Sequence, residues 1–234
     1  MPDAKGRIDY EVWVAADKKE WDRILKYKVL SPPMTLAQIR AEGITARPVS
    51  MRVLLNVKRN PDEKGSVSKF KARAIVQGHA AMMKKGEHYW ETFSAAPNTT
   101  TTLILQCLVV QLGYSRLAAD VNVAYLNGRL EKREQIPIIP PKGKEHRDKD
   151  GNILLHALRG NVYGIPQASL VWQRCREKFI MDVFNSDGWR SWKAHYDPGL
   201  LIFEPTVAND EQPTDPPPPP TLQGRQQPWL APPL

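Results

Sequence analysis

Residues 51–77 read MRVLLNVKRNPDEKGSVSKFKARAIVQ, and their period decides the fold class. In the first half Met51, Val53, Leu55 and Val57 alternate with Arg52, Leu54, Asn56 and Lys58. In the second, Phe70, Ala72, Ala74 and Val76 alternate with Lys69, Lys71, Arg73, Ile75 and Gln77. Side chains of an extended chain point to opposite faces in turn, so this two-residue period predicts strands with one apolar face. The connection Asn60-Pro61-Asp62-Glu63-Lys64-Gly65 is rich in turn formers but longer than a tight two-residue loop, which predicts a β-hairpin with an extended turn. Lys69, Lys71 and Arg73 fall opposite the apolar set, so that side is cationic. On an isolated hairpin a solvated outer face is the favoured account of three such residues; only a nearby polyphosphate reverses it.

Outward from the hairpin the chain mixes helix and strand. Ala15 to Leu30 reads as a helix, with Ala16, Ile24 and Leu25 among charged positions, stopped by Ser31-Pro32-Pro33. Thr35 to Val49 has no firm period. Thr99 to Leu112 is apolar almost all round, with Asn98 as N-cap and Gly113 at the stop, and predicts a buried helix. Leu117 to Val121 predicts a short inner strand that delivers Asp120 before the turn-prone Asn127-Gly128. In Ser169 to Phe184 the residues Val171, Cys175, Phe179 and Val183 recur every fourth position, a core-facing stripe with Cys175 as a buried small hydrophobe. The period alone therefore gives mixed α and β.

Composition sets the remaining bounds. A 234-residue chain with 41% hydrophobic residues can build a core over most of its length. The exception runs from Pro205 to Leu234, which holds ten of the 21 prolines, Pro216 to Pro220 among them, and predicts a disordered or polyproline-II tail. That tail carries Arg225 against Asp210, Glu211 and Asp215, which leaves residues 1–204 with 32 basic and 22 acidic groups, a net +10. Such an excess favours a polyanionic partner. Cys107 and Cys175 lie far apart with no zinc-like spacing to any histidine, which fits a reducing compartment. Met1 to Lys19 has no apolar leader core, and the apolar run Leu103 to Val110 is interrupted by Gln106, so neither a secretory signal nor a membrane partner is expected.

Several segments, in order, resemble the reverse transcriptase of Copia-type LTR retrotransposons. Lys58-Arg59-Asn60-Pro61-Asp62 with Phe70-Lys71-Ala72-Arg73 is similar to that family's fingers segment, and Tyr89-Trp90-Glu91-Thr92-Phe93-Ser94 to the motif that follows it. Asp120-Val121-Asn122-Val123-Ala124-Tyr125-Leu126-Asn127-Gly128 is the most specific match. Pro140-Pro141 with Gly143, then Leu158 with Tyr163-Gly164-Ile165-Pro166-Gln167-Ala168 and Trp172, then Asp197-Pro198 with Leu200-Leu201-Ile202-Phe203 complete the series. Departures are His88 where the family usually has Asp, and Asn122 and Val123 in place of its common Lys and Thr.

The resemblance implies an α+β fold of the right-hand polymerase kind, with fingers and a palm built on an antiparallel sheet, incomplete at the C-terminal side. It divides the chain into an N-terminal helix and lead-in (1–50), a fingers-type hairpin region (51–98), a partial palm (99–204) and the proline-rich tail (205–234). It implies RNA-directed DNA polymerase chemistry, an RNA or DNA primer-template and dNTP as partners, and Mg2+ or Mn2+ as cofactor. By the same resemblance Asp120 is the catalytic and metal-binding aspartate, Tyr125 excludes a ribose 2′-hydroxyl, Lys71 and Arg73 hold the triphosphate, and Gln167 lines the incoming nucleotide. The implied location is intracellular, in cytoplasmic virus-like particles or the nucleus. The chemistry itself asks for two divalent ions about 4 Å apart, held by several carboxylates. The family supplies two of these from an aromatic-x-Asp-Asp turn shortly after the segment ending at Phe203, yet here Glu204-Pro205 follows and no Asp-Asp dipeptide occurs in the chain. The expectation is a catalytically incomplete polymerase module. Two alternatives accompany it: a non-enzymatic basic nucleic-acid-binding protein derived from that module, and an interaction protein whose proline tail docks into SH3- or WW-type grooves.

Overall fold

The computed structural model describes residues 10–61, 65–116 and 118–206. The proline-rich tail from residue 207 onward and Asp62 to Lys64 of the hairpin connection lie outside the described residues. The chain forms two compact units, each drawn from separate stretches of sequence: one takes the chain up to Thr92 with Tyr125–Val171, the other Phe93–Ala124 with the chain from Trp172 on.

The first unit contains helix α1 (Tyr10–Lys26), the short helix α2 (Leu36–Ala41), and strands β1 (Val49–Arg59), β2 (Val67–Val76), β3 (Ile136–Ile139) and β4 (His156–Leu158). The hairpin forms as the alternation predicts: Met51 faces Val76, Val53 faces Ala74, Leu55 faces Ala72 and Val57 faces Phe70, with a register shift between Lys58 and Arg59. One sheet orders the strands β2-β1-β3-β4. β1 and β3 run parallel, so this sheet is mixed and not antiparallel throughout. β3 pairs antiparallel with β4, and with β1 their buried side chains Ile136, Ile138, Leu158, Val49 and Met51 form the centre of the core. Each large aliphatic group buried there contributes about 1.5–3 kcal/mol.

Helix α1 starts at Tyr10, earlier than the sequence pattern marked, and ends at Lys26. It packs on β2 through Trp13, whose ring meets Phe70 edge-on at 4.7 Å, and through the fully buried Ile24. The buried Glu20 carboxylate accepts the Ala74 amide at 3.3 Å, which satisfies an outward-pointing donor on the edge strand β2. Helix α2 is too short to persist alone; a capping box holds it, Thr35 Oγ1 accepting from the Gln38 amide and Gln38 Oε1 from the Thr35 amide.

The second unit carries helix α3 (Thr99–Gln111), most of helix α4 (Ala168–Ser186), and the antiparallel ribbon of β5 (Trp189–Lys193) with β6 (Leu201–Pro205). Asn98 caps α3 as its position predicts, its Oδ1 accepting from the Thr100 amide at 2.8 Å. Asp197 anchors the same end by accepting from the Asn98 amide at 2.8 Å and the Gly199 amide at 3.1 Å. These bonds, the Asn98 amide foremost, hold its carboxyl below the usual range.

Three local expectations need correction in this unit. Helix α3 is not buried: none of its residues is, and Leu103, Ile104 and Val110 are 57%, 55% and 81% exposed. Its composition records an affinity for apolar neighbours, whereas burial also needs a surface to supply them. Residues 118–121 form no strand, since none of them pairs with a neighbouring strand, and a strand without a partner has no ladder to hold it. In the α4 stripe Val171 and Val183 are buried, while Cys175 and Phe179 are half-buried. No helix among the described residues is long and apolar enough to cross a membrane.

Candidate functional site

The site begins where β2 ends. Its last residue, Val76, points its amide away from β1 and donates to the Tyr163 carbonyl at 2.9 Å. This contact is possible because of glycine: Gly164 has φ +94°, and a Cβ on it would lie 2.1 Å from the Val76 oxygen. Across the same contact a Cβ on Gly78 would lie 1.9 Å from the Gly164 oxygen. Two backbones therefore meet with no side chain between them, which fixes the segment Tyr163-Gly164 against the end of β2.

That clamp sets the position of Tyr163, and Tyr163 gathers two of the residues singled out from the sequence. The Arg73 guanidinium carbon lies 5.5 Å from the Tyr163 ring centroid, within cation–π range. The ring of Tyr125, carried on a 3-10 turn over Ala124–Asn127, approaches Tyr163 at 5.1 Å with an interplanar angle of 46°. The Tyr125 hydroxyl in turn shares a 3.0 Å hydrogen bond with Ser169 Oγ in the first turn of α4. All four residues belong to the first unit. Burial raises the Tyr163 phenol above its ordinary range, with Arg73 opposing. Tyr163 and Ser169 had no functional role in the sequence reading, because a two-residue period says which face Arg73 occupies but not which distant aromatic meets it.

Around this group the sheet face is cationic. Register places Leu54 opposite Arg73, Asn56 opposite Lys71 and Lys58 opposite Lys69, with Arg52 farther along the same face. Arg52, Lys58, Lys69, Lys71 and Arg73 are all exposed. Among the described residues none of the five is in ion-pair range of a carboxylate. Lys71 holds its proton less tightly than a free lysine, chiefly through partial burial and then through repulsion from Arg73 and Lys69, with Glu20 opposing. Like charges directly across a ladder, as at Lys58 and Lys69, destabilise the pair unless an anion lies over them.

Gln167 lies in the same unit but faces inward. It is fully buried, and its amide donates to the His88 carbonyl at 3.4 Å. His88 is also fully buried, its Nδ1 accepting from the Lys84 amide at 3.1 Å and its Nε2 within 3.2 Å of the Arg47 carbonyl. That pair of partners assigns the ring as the neutral Nε2–H tautomer. An aspartate could accept from Lys84 but could not donate to Arg47, so the His88 departure has a local structural use. The neighbouring Glu87 binds Arg47 through both carboxylate oxygens at 2.9 and 3.0 Å. Those bonds, with a third donated by the Arg47 amide at 3.0 Å, pull its pKa down to about 2.

Asp120 belongs to the other unit, exposed in an irregular segment and not at a strand end. Shortly after it Val123 adopts φ +57°, a left-handed conformation that a β-branched residue enters only at a cost. No group of three His, Cys, Asp or Glu side chains able to hold a metal occurs among the described residues. Among the described residues the donor set does not fit a two-ion centre.

The model of the family described as reverse transcriptase (RNA-dependent DNA polymerase) matches residues 41–191. Two curated relatives, the Retrovirus-related Pol polyproteins from transposons RE2 and RE1 of Arabidopsis thaliana, are each 32% identical over 135 residues. Each match covers 58% of this chain and 9% of the relative's own length. No solved structure matches the chain.

Proposed function

Because the chain belongs to the Copia-type reverse transcriptase (RNA-dependent DNA polymerase) family, we propose that it is a polymerase-derived module that binds nucleic acid and nucleoside triphosphate on the first unit without completing nucleotidyl transfer alone. In this reading the β1–β2 hairpin is the fingers element and residues 99–204 are part of a right-hand palm. The observation that carries it is the cationic face, on which no residue pairs with a carboxylate among the described residues: Lys58 stands opposite Lys69, with Arg52, Lys71 and Arg73 beside them. A polyphosphate laid over that face turns the cross-strand repulsion into charge-assisted hydrogen bonds.

Each residue then has a distinct task. Lys71 and Arg73 take the phosphates, Arg73 at a position set by the Tyr163 ring. Tyr125 meets the sugar. Gln167, buried as it is, acts by holding the Tyr163–Gln167 loop to the His88 carbonyl, and touches the nucleotide only if that loop opens. Asp120 occupies the place of a metal-binding carboxylate. In the family generally, divalent ions activate the primer hydroxyl and neutralise the triphosphate; the donor set among the described residues does not fit such a pair, and no chemical step is assigned to it.

Primer extension on a defined RNA or DNA template with Mg2+ or Mn2+ tests the catalytic half of the proposal. The expected result is no incorporation. Incorporation that disappears in Asp120→Asn would show the metal centre to be competent and refute it.

A further inference from the structure

The ring of Tyr125 is held at both ends. Its backbone is fixed in the 3-10 turn, with Leu126 and Asn127 buried, and its hydroxyl is bonded to Ser169 Oγ at 3.0 Å. One face is backed by Tyr163 at 5.1 Å, itself beside Arg73. Tyr125 is half-buried and Ser169 exposed, so the pair lies where a ligand can reach it. A phenylalanine would have the same ring and the same Tyr163 contact but nothing to tie its far edge. The hydroxyl bond is thus the one contact that distinguishes this ring from a freely turning one.

The geometry points to Ser169 as a positioning residue that locks the Tyr125 ring and thereby sets the selectivity of this site for deoxyribonucleoside over ribonucleoside triphosphates. The inference rests on the nucleotide-binding reading above. Ser169 acts in this assignment through the ring hydroxyl it bonds and not as a catalytic residue. Released from it, the ring can swing about its side-chain torsions, and the volume that a 2′-hydroxyl would occupy is no longer reliably filled. A hydrogen bond of this kind shifts an equilibrium about five-fold. Selectivity should fall by about that factor, while affinity for the deoxynucleotide, whose phosphates meet Lys71 and Arg73, should hold.

The test uses the full chain and a dATP labelled on its γ-phosphate, displaced by unlabelled dATP or ATP. Ser169→Ala is expected to lower the ATP-to-dATP ratio of dissociation constants about five-fold, and Ser169→Thr, which keeps the hydroxyl, to restore it. Tyr125→Phe should reproduce the loss, and adding Ser169→Ala to it should change nothing further. A merely structural serine would weaken both nucleotides alike and leave the ratio unmoved. An unchanged ratio in Ser169→Ala, with the wild-type chain selective, overturns this inference alone. A wild-type chain that binds both nucleotides equally overturns it through Tyr125, and one that binds neither overturns the nucleotide-binding reading as well.

Discussion

Replacing Gly164 by alanine probes the contact from which the candidate site is built. The new methyl meets two obstacles. At φ +94° an L side chain is strained, at a cost of about 1–2 kcal/mol. Its Cβ also lands 2.1 Å from the Val76 oxygen and 3.1 Å from the Val76 nitrogen, all backbone, so the Tyr163-Gly164 segment must withdraw. Withdrawal breaks the 2.9 Å bond from the Val76 amide to the Tyr163 carbonyl and leaves a buried donor unsatisfied, a further cost of about 1–3 kcal/mol. The sum, about 2–5 kcal/mol, is a large part of what a domain has. Gly143→Ala separates the two terms, since Gly143 has φ +85° with nothing within 4 Å of its added Cβ, and should cost about 1 kcal/mol. Amide hydrogen exchange at Val76 is the assay: Gly164→Ala should lower protection about a hundred-fold or more, Gly143→Ala less than about ten-fold. Equal effects of the two substitutions would refute the claim that close backbone approach, and not torsion alone, requires glycine there.

Other predictions concern protons and strain. Glu87 should titrate near 2, held there first by its two bonds to the Arg47 side chain and then by the Arg47 amide, and Arg47→Ala, which keeps the amide bond, should raise it only part of the way toward the usual carboxylate range; carboxyl carbon shifts followed by NMR read both. Since the folded pKa is depressed, this pair stabilises the fold above about pH 4.3 and the contribution disappears as pH falls toward the folded value. Burial likewise pushes the His156 imidazole down, with the Ser31 carbonyl opposing and His146 assisting. The unfolded chain therefore takes up that proton first, and urea midpoints should decline as pH drops below about 6.5; His156→Asn, which keeps a donor to Ser31, should flatten that decline. Val123→Gly should leave the urea midpoint unchanged or raise it by up to about 1 kcal/mol of stability, because relief of the φ +57° conformation offsets the entropy of glycine. A clear destabilisation would mean that the valine side chain outweighs its backbone strain.

The hairpin was legible because its cause is local: alternation over ten residues fixes which side chains share a face, and Lys69, Lys71 and Arg73 came out on one side as predicted. The same holds for the Asn98 cap, a bond that spans two residues. Elements whose form depends on a distant partner were not legible. Thr99–Gln111 has the composition of a core helix, yet composition cannot report whether a covering surface is supplied. Residues 118–121 have strand-like content but no ladder to join. At the site, the period of β2 placed Arg73, and the motif around it placed Tyr125. Their meeting through Tyr163 depends on the Gly78–Gly164 approach, which joins segments far apart in sequence and has no trace in the spacing of either one. Gln167 shows the converse: its motif marks the position, while its full burial against His88 is a property of packing alone.

The central claim is that the exposed face of β1 and β2 is a binding surface for phosphates and not a solvated exterior. Binding of the full chain to an RNA–DNA primer-template across a salt series tests it most directly. With five cations on that face, log K should fall against log salt with a slope of about −4. Lys71→Ala with Arg73→Ala should make the slope shallower by about 2 and weaken binding for all template sequences alike. Absence of binding at low salt, or a slope that the double substitution leaves unchanged, would contradict the account.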